Sequence, residues 1–314
     1  MNTASNRSIN TDTLSVILIF GPTGVGKTGL LSRLFPGRGE IINADSMQVY
    51  RGMDIGTAKP DSELLRTLPH HLIDIRDPQN QFNAGDFVDE ADRLVHEISS
   101  RKSLPVICGG TAFYFRNFIY GLPNTPPGNE ETRDRIQSRI DETGLSGAYA
   151  ELQKLDPVGA KTIGESDTYR ITRALEVIEV SGKPFSSFRV SSTPRSEFRM
   201  LIIGLDRPRN ELYSRINHRV AEMFRVGLAE EVAKLISGGC AARDPGMHGI
   251  GYKEFFDMRK QGCLTLKGLE ERIARNSRRY AKRQLTFFKS FSEVHWFHPD
   301  SADEIGSLIN EFVN

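Results

Sequence analysis

Two rhythms of apolar residues alternate along the chain as far as Tyr120. Ile17-Leu18-Ile19-Phe20, Glu40-Ile41-Ile42-Asn43-Ala44, Leu72-Ile73-Asp74-Ile75 and Leu104-Pro105-Val106-Ile107-Cys108 are short runs of strand length. Between and after them come three- and four-residue periodicities. These are Leu30, Leu31 and Leu34, then Phe87, Ala91, Leu94, Val95 and Ile98 within Phe87 to Ser99, then Ala112 to Ile119. The first rhythm predicts buried strands and the second amphipathic helices. Their alternation predicts a doubly wound parallel sheet, because parallel neighbours need the crossover that a helix supplies.

The pattern changes after Gly121. Asn124-Thr125-Pro126-Pro127-Gly128-Asn129 is a linker by its turn chemistry. From Glu130 to about Ser186 only helical periodicity remains, through Ile136, Ile140, Tyr149, Leu152, Leu155, Ile171, Ala174, Leu175 and Ile178, with a turn into a helix at Asp156-Pro157. Gly182-Lys183-Pro184 ends the last of these helices, the glycine as C-cap and the proline beyond it. Strand character returns at Met200 to Leu205. A long helix follows over Arg209 to Ile236, with Leu212, Ile216, Val220, Met223 and Leu228 on one side. A turn at Gly249-Ile250-Gly251-Tyr252, a short helix, a helix over Leu269 to Phe288, a strand at Val294 to Phe297 and a terminal helix complete the chain. With the glycine-rich turn Gly21-Pro22-Thr23-Gly24-Val25-Gly26-Lys27-Thr28 between the first strand and the first helix, the expected architecture is a P-loop NTPase-like α/β sheet with a helical insertion: core over 1–121, insertion over 122–195, core again over 196–314.

Composition narrows the setting. With 314 residues, 26% of them charged, and a net charge of +1, the chain suits an ordinary soluble domain, and a polyanion would need a local basic face. Cys108, Cys240 and Cys263 are scattered without metal spacing, which points to a reducing, cytoplasmic setting. No apolar run reaches membrane-spanning length, and Met1 to Thr13 lack a signal-peptide core. No apolar patch asks for a partner, so a monomer is expected.

The first chemistry lies where the first strand ends. Gly21-Pro22-Thr23-Gly24-Val25-Gly26-Lys27-Thr28 fits the phosphate-binding pattern G-x-x-x-x-G-K-[ST], between a strand and a helix. Its glycines tolerate positive φ, so backbone N–H groups can turn onto an anion. The new helix offers the same anion its positive end. Lys27 adds a point charge, and the Thr28 hydroxyl can ligand Mg²⁺.

Asp45 closes the second strand and shares the carboxyl edge of the sheet, where ligands of open α/β sheets sit. It is a candidate Mg²⁺ ligand through water, a general base or a turn cap. Since P-loop kinases also want an acid near the transferred group, it does not choose the reaction. Ser46 to Pro60 is polar and glycine-punctuated, as active-site loops are. Gly109-Gly110-Thr111 makes a second hinged loop. Arg215 and Arg219 stand one turn apart, either for a diphosphate or for solvent. Arg272, Arg275, Arg278, Arg279, Lys282 and Arg283 gather on one helix face, opposite Ile273, Ser277, Tyr280, Ala281, Leu285 and Phe288. No acid intervenes between Arg272 and Lys289. Such a face reads as a phosphate-backbone footprint. Tyr169, Arg170 and Arg173 share a face that meets RNA or solvent. His70-His71 read as hydrogen-bonded structure rather than a metal site.

These segments together resemble the tRNA dimethylallyltransferases. The resemblance rests on the loop at Gly21 to Thr28, the block Asp45 to Pro60, His70-His71-Leu72-Ile73-Asp74, and Gly109-Gly110-Thr111. It extends to Arg170 to Val177, Gly249 to Glu254 and Arg279-Tyr280-Ala281-Lys282-Arg283-Gln284. It implies transfer of a dimethylallyl group from dimethylallyl diphosphate to the exocyclic amine of the tRNA adenosine just 3′ of the anticodon, with Mg²⁺. It implies Asp45 as general base, and Thr23 and Arg219, with Arg215 beside it, near the bridging oxygen of a diphosphate cradled by Gly24 to Thr28. It implies tRNA contacts from Asp45, Ser46, Met47, Gln48, Thr111, Arg133, Tyr169, Arg170, Ile171, Thr172 and Arg173. The basic face of Arg275, Arg279, Lys282 and Arg283 adds to these. With no eukaryotic-type zinc finger after Trp296, the chain resembles the bacterial form. A P-loop kinase explains the loop but not the basic helix. An adenylate isopentenyltransferase needs no such face, and a non-catalytic RNA-binding protein needs no Asp45 block.

Overall fold

A computed structural model describes residues 13–188, 191–262 and 265–314. Cys263 lies outside them. The chain forms two compact units, one running to Ile119 and resuming at Arg195, the other spanning Tyr120–Pro194.

The first unit is built on a parallel sheet of β1 (Leu14–Phe20), β2 (Gly39–Ala44), β3 (His70–His71), β4 (Leu104–Gly109), β5 (Phe198–Leu205) and β6 (His295–Phe297), ordered β3-β2-β4-β1-β5-β6. Every pairing is parallel, so the crossovers are helical. They include α1 (Lys27–Leu34), α2 (Ser62–Thr67), α3 (Ala84–Ser100) and α4 (Ala112–Tyr120). After the second unit come α8 (Arg209–Arg225), α9 (Leu228–Ser237), α10 (Lys253–Lys260), α11 (Leu266–Phe288) and α12 (Ala302–Val313). Val16 to Phe20 are fully buried, as a central strand covered on both faces must be.

An aromatic cluster stands behind the end of β1. Phe20 stacks on Phe288 of α11 at 4.3 Å and meets Phe115, Phe291 and Trp296 edge-on. The residue before the glycine loop is therefore locked by packing, and α11 is locked with it.

The structure corrects two expectations and adds one helix. The strand expected over Leu72–Ile75 is only His70–His71. Leu72 and Asp74 take positive φ (63° and 55°), which bends the chain out of the sheet. The long helix over Arg209–Ile236 is two helices, because Gly227 sits at φ 107° between α8 and α9. The helix α2, capped by Asp61, has too short an apolar pattern to register in the sequence.

The second unit is helical: α5 (Glu130–Leu155), interrupted at Gly144 (φ 76°), α6 (Pro157–Ala160) and α7 (Thr168–Ser181). Its core holds Ile136, Ile140, Leu152, Ile163, Ile171 and Leu175. Buried Glu176 accepts from Arg173 at 2.7 Å, Arg133 at 3.1 Å and the Asn129 N–H at 2.7 Å. Burial works to raise its pKa, but these donors together hold the carboxyl below its usual range.

Gly204 faces Trp296 across β5 and β6, and a Cβ there would fall 2.7 Å from the indole. Gly204→Ala should lower stability by about 1–3 kcal/mol through overpacking, read as a shifted urea midpoint. An unchanged midpoint would mean that Trp296 is free to move.

Candidate active site

The glycine loop follows Phe20 directly. Gly24 (φ 80°) and Gly26 (φ 116°) occupy the left-handed region that side chains avoid. Gly26 precedes α1 without a side-chain cap, and the first turn carries no acid, so its N–H groups stay available to an anion. Lys27 folds across the loop and donates to the carbonyls of Gly21 (2.9 Å) and Pro22 (3.1 Å). Burial lowers its pKa and the Arg219 charge adds to this, while Asp45 opposes both. Burial pushes the nearby Cys108 thiol up to about 12, so it stays neutral. Thr28 is exposed and Val25 is buried.

Distant residues hold the rest of the loop. Arg207, almost wholly buried, donates from Nε to the Val25 carbonyl at 2.6 Å and pairs with Asp300 at 2.7 Å and with Glu211. Arg215 donates to the Gly24 carbonyl at 2.9 Å. Gln284 on α11 accepts the Thr23 N–H at 3.0 Å and donates to the Gly110 carbonyl at 2.6 Å.

The second wall is the segment after β2. Asp45 Oδ1 accepts from the N–H groups of Met47 (2.9 Å) and Gln48 (3.4 Å), so one oxygen caps the turn. Thr111 ties the ends of β2 and β4. Its N–H donates to Ala44 O at 3.1 Å, and its hydroxyl accepts from Ser46 N–H at 2.9 Å and donates to Ser46 Oγ at 3.2 Å. Gln48 donates to the carbonyls of Thr57 (3.1 Å) and Ala58 (3.3 Å). Glu231 of α9 gathers the N–H groups of Asp54, Ile55 and Gly56 at 2.7–3.1 Å and the Tyr252 hydroxyl at 2.7 Å. The buried ammonium of Lys59 bridges Tyr50 O and Asp54, both at 2.7 Å, and also meets Asp74.

The two walls enclose a cavity of about 550 Å³, lined among others by Thr23, Lys27, Asp45, Arg219 and Tyr280. Arg219 is half-buried and reaches Thr57 O at 3.4 Å. Burial lowers its pKa and the Asp45 carboxylate opposes the shift. Both arginines of the pair reach the cavity, Arg215 from the loop's exposed edge and Arg219 from inside.

Other sequence candidates separate by position. On α11, Arg275, Arg279, Lys282 and Arg283 are exposed and have no ion-pair partner among the described residues, whereas Arg272 pairs with Gln261 and Asp257, and Arg278 with Asn217. In the second unit Tyr169 is 73% exposed and Arg170 is exposed too. Ile171 is a correction. Its side chain is fully buried in that unit's core and offers no surface to a partner. Arg173 and Arg133 are held by Glu176. His70 and His71 bond Leu68 O and Glu40, at 2.7 and 2.8 Å.

The sequence assigns no role to Tyr280, Gln284 or Lys59, although they lie in the motif segments, nor to Glu231. Periodicity puts Tyr280 on the side away from the basic face, and there it lines the cavity with its hydroxyl against Thr111 and Gln284. Burial, with Asp45 adding, raises its pKa and keeps it neutral. The spacing of Ser277, Tyr280 and Gln284 at three and four residues was the available signal.

A parallel sheet in which two strands on either side of β4 end in a phosphate-binding loop and a carboxylate at one cavity defines a P-loop protein built around an anionic ligand. A family model described as IPP transferase matches residues 48–291. The tRNA dimethylallyltransferase of Borreliella burgdorferi is 38% identical over 296 residues, 94% of this chain and 95% of its own. That of Geobacter sulfurreducens is 40% identical over 300 residues, 95% of this chain and 96% of its own. The solved tRNA isopentenylpyrophosphate transferase of Bacillus halodurans superposes with a TM-score of 0.68 at 38% identity, covering 95% of this chain and 96% of that one. A eukaryotic dimethylallyltransferase acting on tRNA superposes with a TM-score of 0.72 at 25% identity, covering 91% of this chain and 74% of its own. The chain belongs to the IPP transferase family, the family of the tRNA dimethylallyltransferases.

Glu231→Ala would leave three backbone donors and the Tyr252 hydroxyl without their acceptor. The expected cost is about 1–3 kcal/mol, with faster hydrogen exchange at Asp54, Ile55 and Gly56. Unaltered protection of those amides would show that the loop is anchored elsewhere.

Proposed function

We infer that this chain is a tRNA dimethylallyltransferase, which moves a dimethylallyl group from dimethylallyl diphosphate to the N6 amine of the adenosine 3′ of the anticodon. One juxtaposition supports this most directly: the anion-binding loop, Arg219 and Asp45 line a single cavity. The allylic C–O bond breaks with its electron pair going to the diphosphate, and the amine lone pair forms the new C–N bond. The amine's proton passes to Asp45. Loop N–H groups, Lys27, Arg219 and the Thr23 hydroxyl stabilise the charge that grows on the diphosphate. The adenine leaves the anticodon-loop stack to enter, at a cost of a few kcal/mol.

The residues fit Mg²⁺ as an ion carried with the diphosphate. The Thr28 hydroxyl is exposed beside the loop, and among the described residues no cluster of three acids, histidines or cysteines makes a protein cage. Bound there, the ion supplies positive charge to the diphosphate. The Asp45 to Gln48 turn and Thr111 meet the acceptor nucleotide. Arg275, Arg279, Lys282 and Arg283 meet the tRNA backbone. In the second unit Tyr169, Arg170 and Thr172 meet it, while Arg133 and Arg173 brace that unit through Glu176. No helix among the described residues is long and apolar enough to cross a membrane. On this reading the enzyme works in the cytoplasm as a monomer.

The test is transfer of label from radioactive dimethylallyl diphosphate, with Mg²⁺, to unmodified tRNA beside AMP and ATP. Label in tRNA alone supports the reading. Label in AMP would change the acceptor, and ATP hydrolysis without transfer would return the chain to the kinases. Asp45→Asn keeps an acceptor for the turn but cannot take the proton. Turnover should fall roughly 10²–10⁴-fold while tRNA affinity stays within a few-fold, and retained turnover would remove Asp45 as the base. Replacing Arg275 and Arg279 together by alanine should weaken tRNA binding and flatten its log–log salt dependence by roughly 1.5. An unchanged slope would mean that this face meets only solvent.

A further inference from the structure

We propose that Gln284 is a positioning residue for the leaving-group end of the active site, holding Thr23 in register through α11. The inference rests on the diphosphate-transfer reading above. Gln284 is buried on a helix otherwise notable for cations, and both ends of its amide are used. Oε1 accepts the Thr23 N–H at 3.0 Å, and Nε2 donates to the Gly110 carbonyl at 2.6 Å. One side chain thus joins the loop after β1 to the loop after β4, across a sequence separation of 261 residues in the first bond and 174 in the second. Gln284 also touches the hydroxyl of Tyr280, one turn earlier on the cavity side.

The geometry determines what Gln284 controls. The Thr23 N–H is spent on Gln284 and is not offered to an anion, so Thr23 faces the diphosphate with its side chain. The hydroxyl's position then depends on a backbone fixed from α11. Phe288, one turn further along α11, stacks on Phe20 just before the loop, so the helix holds the loop at two points. A hydroxyl at the bridging oxygen matters most as the C–O bond breaks, because the negative charge appears there only then. Displacing it should slow the chemical step more than it weakens binding of an unreactive diphosphate.

Gly110 provides an independent way to disturb the same contact. A Cβ at Gly110 would lie 2.6 Å from Gln284 Nε2, with its next neighbour 3.7 Å away at Gly21 O. Gly110→Ala therefore pushes chiefly on the Gln284 amide, and shortening that side chain relieves the push.

The experiment compares Gln284→Ala, Gly110→Ala and the double variant with the full-length wild-type enzyme. It measures kcat and KM for dimethylallyl diphosphate with tRNA, the affinity for inorganic diphosphate, and Tm. Each single variant is expected to lose about tenfold or more in kcat, with inorganic diphosphate binding within about threefold. The double variant should be no slower than Gln284→Ala, since both changes act on one contact. Unchanged kcat in Gln284→Ala would overturn the proposal. So would losses that multiply in the double variant, or diphosphate affinity and Tm falling in step with kcat. Wild-type transfer in the same assay reports on the proposed function itself, so the two failures are distinguishable.

Discussion

A loop that offers its amides to an anion must satisfy its carbonyls elsewhere, and this constraint organises the molecule. Between Gly21 and Val25 four carbonyls are taken by cationic side chains: Gly21 and Pro22 by Lys27, Gly24 by Arg215, Val25 by Arg207. The donors arrive from α1, α8 and the turn after β5, so the loop's shape depends on most of the first unit. Arg207 is in turn neutralised by Asp300 and Glu211, which lets a guanidinium be buried at the back of a site already rich in positive charge.

That richness has an electrostatic consequence. Lys27 and Arg219 share the cavity with one carboxylate, Asp45, and burial lowers the pKa of both cations. Lowered basicity marks cations that have lost water without gaining enough counter-charge. A polyanionic ligand supplies what is missing, so the site favours such a ligand through charges held in place beforehand. The same pre-placement then serves the negative charge that develops on leaving.

The facing wall is held differently. Ser46 to Pro60 contains no helix or named strand; backbone bonds to Asp74, Ile75 and Arg76 hold Gln48 to Arg51, and side-chain anchors hold the rest. Glu231 collects three successive amides, Lys59 bridges a carbonyl and two aspartates, and Gln48 bonds two carbonyls. Ala58 and Asp74 take positive φ, a local cost that Gln48 and Lys59 offset. Loop backbone at a ligand-binding edge would otherwise be left without partners.

The sequence alone determined the parts that are local. The run to Phe20 followed by Gly21 to Thr28 specified strand, loop and helix through burial, positive-φ tolerance and the helix end. The same held for β2 leading into Asp45, β4 leading into the Gly109-Gly110-Thr111 loop, and the helical segment after Asn129. Tertiary structure decided what depended on distance. Whether an arginine faced ligand, solvent or a carboxylate was set by its neighbours in space, which separates Arg275 and Arg279 from Arg272. Leu72 to Ile75 read as a strand because periodicity cannot register two positive-φ residues that take the chain away from its partner. Gln284 and Glu231 looked like ordinary polar helix positions. Their significance comes from the backbone groups placed opposite them, which only the folded sheet brings into reach.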